Sequence, residues 1–143
     1  MTEFQRYLKS IGACAEACLW CGERTAEQAW LECERADWLL WWAGRAGIDR
    51  KLLVRTACQC ARRALRFVPD GESCALRAIE AAEAWCDGQA SIDEVRAAAA
   101  DADAAYDAAT AAKKSEHLAM CTVVREMIPF DAIQRELPKE NLV

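Results

Sequence analysis

The fold is decided by residues 49–71, DRKLLVRTACQCARRALRFVPDG, and by the stretch that follows, residues 72–88, ESCALRAIEAAEAWCDG. In both stretches apolar residues recur every three or four positions, which is the spacing of one face of an α-helix. The Pro-Asp-Gly sequence between them indicates a turn. We therefore predict two helices, about Arg50–Val68 and Glu72–Asp87, that pack antiparallel around this turn.

The charges of this hairpin are unevenly distributed. Residues 51–70 hold five basic side chains and one acidic one, whereas residues 71–112 hold nine acidic and two basic ones. Opposite charges on neighbouring helices favour their pairing, and the excess of carboxylates predicts an acidic surface on the second segment.

Composition extends the helical interpretation to the whole chain of 143 residues, which contains 30 alanines, 6 glycines and 3 prolines. Frequent alanine with few helix breakers is typical of an all-α protein. We predict a single all-helical domain, 1–143, a compact bundle of six to eight helices. It includes an alanine-rich helix near residues 92–114, and we expect a frayed tail from about residue 138.

Capping boxes mark two helix starts, one at Thr25 with Gln28 and one at Ser91 with Glu94. A short tryptophan-rich helix, about Asp37–Ala46, follows the first of them, and Gly47 suits its C-terminal end. The apolar stripes predict a core that contains Trp30, Trp38, Trp41, Leu53, Cys60, Ile79 and Val95.

Trp42 allows two interpretations. Because Trp38 and Trp41 are expected to face the core together, Trp42 is predicted at the edge of that face. A tryptophan at such a rim is typical of a protein interface. The alternative is that the N-terminal helix covers Trp42.

The nine cysteines are an odd number, and the first twenty residues contain no apolar signal core, so we predict free thiols in a cytoplasmic protein. Cys14, Cys18 and Cys21 share one helical face. They allow two interpretations, a site for a soft metal ion or small apolar side chains of the core. We favour the core, with no cofactor and no bound metal. His117 and Cys121, four residues apart, would share a face, and we interpret the histidine as structural.

A tryptophan-rich motif within residues 25–44 resembles a family of bacterial and phage proteins, the Imm-5-like immunity proteins. The family's AWxxCxRxDWLLWLA pattern is matched at ten positions and departs from it at Trp42, where the family more often has an aliphatic residue. The likeness covers about residues 12–128 and ends in a Cys-x-Val-Val-Arg type of element, here Cys121–Arg125. It implies an all-helical fold and a role in immunity. The matched positions are Ala29, Trp30, Cys33, Arg35, Asp37, Trp38, Leu39, Leu40, Trp41 and Ala43.

A net charge of −5 argues against a general nucleic-acid binder, which usually carries a basic excess. No catalytic constellation is recognisable, so we predict a protein that is not an enzyme. Our first hypothesis is an inhibitor that neutralises a basic, nucleic-acid-acting toxin by stoichiometric binding. The alternatives are a phage-encoded inhibitor of a host defence nuclease and a cysteine-rich metal-binding protein. The residues predicted to bind the partner are Glu80, Glu83, Asp87, Glu94, Asp101, Asp103, Asp107 and Trp42.

Overall fold

The computed structural model of the protein describes residues 1–68, 71, 73–98 and 114–139. These residues form nine α-helices and no β-strand, which confirms the all-α prediction and slightly exceeds the predicted six to eight helices. A single 3-10 turn, Leu65–Phe67, extends the fifth helix. The helices are α1 (Glu3–Ser10), α2 (Ala15–Cys21), α3 (Ala26–Glu32), α4 (Ala36–Ala46), α5 (Arg50–Ala64), α6 (Cys74–Cys86), α7 (92–98, as far as it is described), α8 (Lys114–Met127) and α9 (Phe130–Glu136).

Local capping signals set several of the helix boundaries. Thr25 and Gln28 form the predicted capping box at the start of α3, and Asp49 accepts a hydrogen bond from the Leu52 backbone N–H at the start of α5. Gly12 separates α1 from α2 with a φ of +92°, a left-handed backbone conformation that favours glycine. This break is one reason why the helix count is higher than predicted.

The predicted hairpin of α5 and α6 is present. The two helices pack against each other. Arg55 pairs with Asp87, whereas Arg62 pairs with Glu83, so residue numbers rise along one helix as they fall along the other. The antiparallel arrangement is thereby confirmed. The opposite face of α5 packs against α8, so that α5 lies between α6 and α8.

The core confirms only part of the prediction. Trp30, Cys60 and Ile79 are buried, as predicted. Leu53, Val95 and Trp38 are half-buried, and Trp41 is 36% exposed, so the predicted burial of these four residues is wrong.

The prediction for α4 is wrong about which face of the helix meets the core. The face of α4 that meets the core is formed by Ala36, Leu39, Trp42 and Ala43, which are spaced at i, i+3, i+6 and i+7. Trp42 is 5% exposed and packs between the rings of Phe4 of α1 and Trp30 of α3, at centroid distances of 5.2 and 5.4 Å. The prediction that places Trp42 at a rim is wrong, and the alternative, in which the N-terminal helix covers it, is confirmed.

Candidate functional site

The acidic residues predicted to bind a partner are found in two different environments. The carboxylates of Glu83 and Asp87 accept hydrogen bonds from Arg62 at 2.7 Å and from Arg55 at 2.8 Å. Glu80 and Glu94 are exposed, and no ion pair joins either of them to a basic side chain of the described residues. Asp101, Asp103 and Asp107 lie outside the described residues.

The charges of the hairpin are therefore partly neutralised within the fold. The side chains of both ion pairs are about half exposed, and such pairs typically contribute only about 0.2–1 kcal/mol. Their arginines nevertheless remove two carboxylates from the acidic surface that a partner would meet. Among the described residues, Glu80 and Glu94 are the carboxylates of the predicted set that remain unpaired.

A second ionic contact joins α5 to α8. Glu116, whose side chain is 12% exposed, pairs with Arg63 at 3.4 Å and with Arg66. These contacts connect the C-terminal end of α5 to the first turn of α8. The basic side chains of α5 and of the turn that extends it therefore pair both with carboxylates of the α6 segment and with Glu116 of α8. Arg55, Arg62 and Arg63 of α5 thus form ion pairs within the protein at its half-exposed surface.

A cavity of about 410 Å³ lies between the N-terminal pair α1–α2 and α4. Its deepest residues belong to the core, namely Cys21, Leu39 and Trp42. The indoles of Trp20, Trp38 and Trp41 also line it, and the first two of these rings meet edge to face at 6.2 Å. The cavity is mainly apolar, which is typical of a site that binds a ligand or an apolar side chain.

The guanidinium group of an arginine lies over each of these three indoles. Arg24 lies over Trp20 and Arg35 lies over Trp38, both with 4.3 Å between the guanidinium carbon and the ring centroid. Arg45 lies over Trp41 at 5.7 Å. These distances are those of cation–π contacts.

Two of the three arginines are also ion-paired. Arg24 binds Glu32 at 2.8 Å, and Arg35 binds Asp37 at 2.7 Å, which raises the pKa of Arg35 further above its ordinary value. No carboxylate of the described residues pairs with Arg45, which is exposed. The sequence prediction missed this site, although the four-residue spacing of Trp41 and Arg45 within α4 places that pair on one helical face. Arg24 follows the end of α2 at Cys21, so its contact with Trp20 is not a contact along one helix.

The nine cysteines are all free thiols. Six of them are buried, as the core interpretation predicts, but Cys14 is exposed and Cys18 is half-buried. Cys14 is the N-cap of α2 and lies outside the helix, so the predicted common face of Cys14, Cys18 and Cys21 is wrong. Among the described residues, no group of three or more histidine, cysteine or acidic side chains is placed to hold a metal ion.

Burial determines the chemistry of the inner thiols. Loss of hydration raises the pKa of Cys21, Cys58 and Cys60 to about 11 and that of Cys121 to about 12. Cys121 is fully buried and would remain a neutral thiol at neutral pH, so its position four residues after His117 does not supply a reactive nucleophile.

We expect these thiols to differ sharply in reactivity. With a disulfide reagent in excess, Cys14 of the native protein should react first, because its thiol is exposed. The four thiols whose pKa is raised to about 11 or 12 should remain unreactive even when the pH is raised to about 9, since they stay protonated there. Counting modified cysteines by mass spectrometry before and after addition of denaturant measures this difference. Rapid native modification of Cys121 would contradict the burial described above.

Comparison with known proteins gives the family. The family model described as "Imm-5 like putative immunity protein" matches residues 47–128. This match covers more than half of the chain. The chain belongs to this family. The matched residues include α5, α6, the described part of α7 and α8, so the charged hairpin and α8 lie within the family-matched part of the chain.

The match does not extend to the tryptophan-lined cavity, whose lining residues all precede residue 47. No curated protein and no solved structure matches the chain. None of the helices in the described ranges is long and apolar enough to cross a membrane.

Proposed function

We propose that this Imm-5-like protein is a non-catalytic inhibitor that neutralises a protein toxin by stoichiometric binding in the cytoplasm. The observation that carries the proposal is the family membership, because an immunity-type role requires a protein partner. An inhibitor of this kind needs a stable, preorganised surface more than a reactive group. The buried thiols and the internally paired arginines of α5 are consistent with that requirement.

The proposed contact surface is the acidic side of the α6–α7 segment. Glu80 and Glu94 are its exposed, unpaired members among the described residues. A surface of this sign suits a partner that is basic around a nucleic-acid-binding site, since complementary charge accelerates association and suppresses wrong partners. Trp42 is no longer part of the proposal, because its ring is buried.

The test begins with the reading frames next to the gene. The product of an adjacent frame is expressed alone and together with this protein, and growth is measured in both cases. We expect the neighbour to be toxic alone and harmless in combination, and its activity in vitro to fall to zero at one equivalent of this protein. If the neighbours are instead phage defence-escape genes, the same titration with a host defence nuclease would favour the alternative inhibitor. If this protein instead modified or degraded any of these partners catalytically, the proposed non-catalytic role would be contradicted.

Charge reversal tests the proposed surface. The double variant Glu80→Lys/Glu94→Lys should bind the toxin with an association rate about threefold to tenfold lower at low ionic strength, because it replaces attraction by repulsion. The difference should shrink as salt is raised. Stopped-flow association measures the effect. The melting temperature is measured alongside, and the loss of the Glu94 carboxylate from the first turn of α7 should cost no more than about 1 kcal/mol.

The matched control is Glu23→Lys/Glu27→Lys, which changes the net charge equally at two exposed positions outside the acidic surface. This control should slow association much less than the first variant. Equal rates for the two double variants would show that the acidic side of α6–α7 is only a solvated surface.

A further inference from the structure

The cavity between α1–α2 and α4 extends from solvent to the core. Its floor is formed by Leu39 and Trp42, which are 1% and 5% exposed, while Trp41 at its mouth is 36% exposed. Asp37 is the only charged residue among those that line it, and its carboxylate is already held by Arg35. The interior therefore offers apolar contacts to a ligand. Its lining presents no unpaired charge that would attract or repel a charged group of that ligand.

Arg45 is not itself among the residues that line the cavity, but it lies beside two that are. The guanidinium of Arg45 lies over Trp41, and one of its nitrogens, Nη2, is 3.9 Å from the position that a Cβ would take on Gly12. Both Trp41 and Gly12 line the cavity. Because no carboxylate of the described residues pairs with Arg45, its donors remain available beside Trp41 and Gly12 at the edge of the cavity.

We infer that this cavity binds a small amphipathic carboxylate, with its alkyl or aryl body between the indoles and its carboxylate on Arg45. The volume of about 410 Å³ lies within the range of about 300–1,000 Å³ that is typical of small-molecule sites. The planar guanidinium matches a carboxylate in both charge and geometry. The site lies outside the family-matched residues 47–128 and is separate from the proposed toxin-binding surface on α6–α7.

The probe is octanoate, compared with octan-1-ol, which has the same alkyl chain and no charge. Titration followed by tryptophan fluorescence and by calorimetry should show saturable binding of octanoate at one site per chain. Its affinity should exceed that of octan-1-ol by about fivefold, the effect of one partly exposed ion pair. Equal affinity for the two compounds, or an octanoate response that does not saturate, would overturn the inference.

Two variants locate the binding. Arg45→Gln should abolish the preference for octanoate while leaving the affinity for octan-1-ol unchanged, and Arg96→Gln on α7 is the control that should change neither. Ala17→Leu, which adds volume to the cavity wall, should weaken both ligands by about tenfold. Ala15→Leu adds the same volume at an exposed position of α2 outside the lining and should have no effect. Octanoate binding that survives both Arg45→Gln and Ala17→Leu would exclude this cavity as the site.

Discussion

Trp42→Ala should destabilise the protein by about 3–5 kcal/mol, the typical cost of emptying a large aromatic site in a packed core. The ring is 5% exposed and contacts Phe4 and Trp30, so it joins α1, α3 and α4. Truncation would leave a void that these helices cannot close without moving. Chemical denaturation followed by circular dichroism measures the decrease in the free energy of unfolding. The same substitution should lower the melting temperature by about 10–15 °C.

Trp41, the residue before Trp42 in the chain, supplies the control substitution. Trp41 has the same side chain on the same helix but is 36% exposed, lines the cavity and lies 5.7 Å from the guanidinium carbon of Arg45. Trp41→Ala should therefore cost no more than about 1 kcal/mol. A larger loss for Trp41→Ala than for Trp42→Ala would mean that the phase of α4 described here is incorrect.

Local sequence signals predicted the helices and their pairing well, for a physical reason. A capping box such as that of Thr25 and Gln28 is satisfied within four residues and depends little on the rest of the fold. The α5–α6 hairpin combines two strong amphipathic patterns with complementary charges, and the contacts of Arg55 with Asp87 and of Arg62 with Glu83 follow from that pattern.

The phase of α4 could not be predicted in the same way. Its sequence has apolar residues on every side, Trp38, Leu39, Leu40, Trp41 and Trp42, so periodicity does not select one face. The choice depends on tertiary contacts, since Phe4 and Trp30 enclose Trp42 while arginines cover the indoles of Trp38 and Trp41. A tryptophan–arginine pair can shield an indole at the surface, and this removes the need to bury it.

The candidate sites also divide into features that local sequence predicts and features that depend on tertiary contacts. The acidic surface was predicted from the charge count, but a count does not reveal that Glu83 and Asp87 are already paired with arginines of α5. The cavity was not predicted at all, because it arises from the way in which α1 and α2 lie against α4. Only the four-residue spacing of Trp41 and Arg45 within α4 gives a local sign of it.

Arg125 is a further residue whose role depends on contacts distant in sequence. It donates hydrogen bonds to the backbone carbonyls of Trp30, at 2.8 Å, and of Cys33, which lie 95 and 92 residues away in the chain. These carbonyls belong to the C-terminal end of α3, where a helix leaves acceptors unsatisfied and favours a positive charge. Arg125 thus joins α8, which lies in the family-matched region, to the N-terminal helices that line the cavity.

Arg125→Met should consequently cost about 2–4 kcal/mol of stability. The methionine keeps much of the apolar stem but removes both donors, and each hydrogen bond from a charged group contributes about 1.5–3 kcal/mol. Two carbonyls would be left without their partner beside the fully buried Cys121 and Val124. Arg125→Lys keeps the charge but lacks the planar fork that reaches both carbonyls, so it should recover only part of the loss.

The control is Arg135→Met on α9, where the arginine is exposed and the same substitution should change stability by less than about 0.5 kcal/mol. Hydrogen exchange adds a local measurement, because the loss of Arg125 should speed exchange of the α3 amides more than those of the α5–α6 hairpin, which holds its own contacts. If Arg125→Met and Arg135→Met unfold at the same denaturant concentration, the contact with α3 contributes no net stability. The N-terminal helices must then be held in place by apolar packing, in which Trp30 and Trp42 take part.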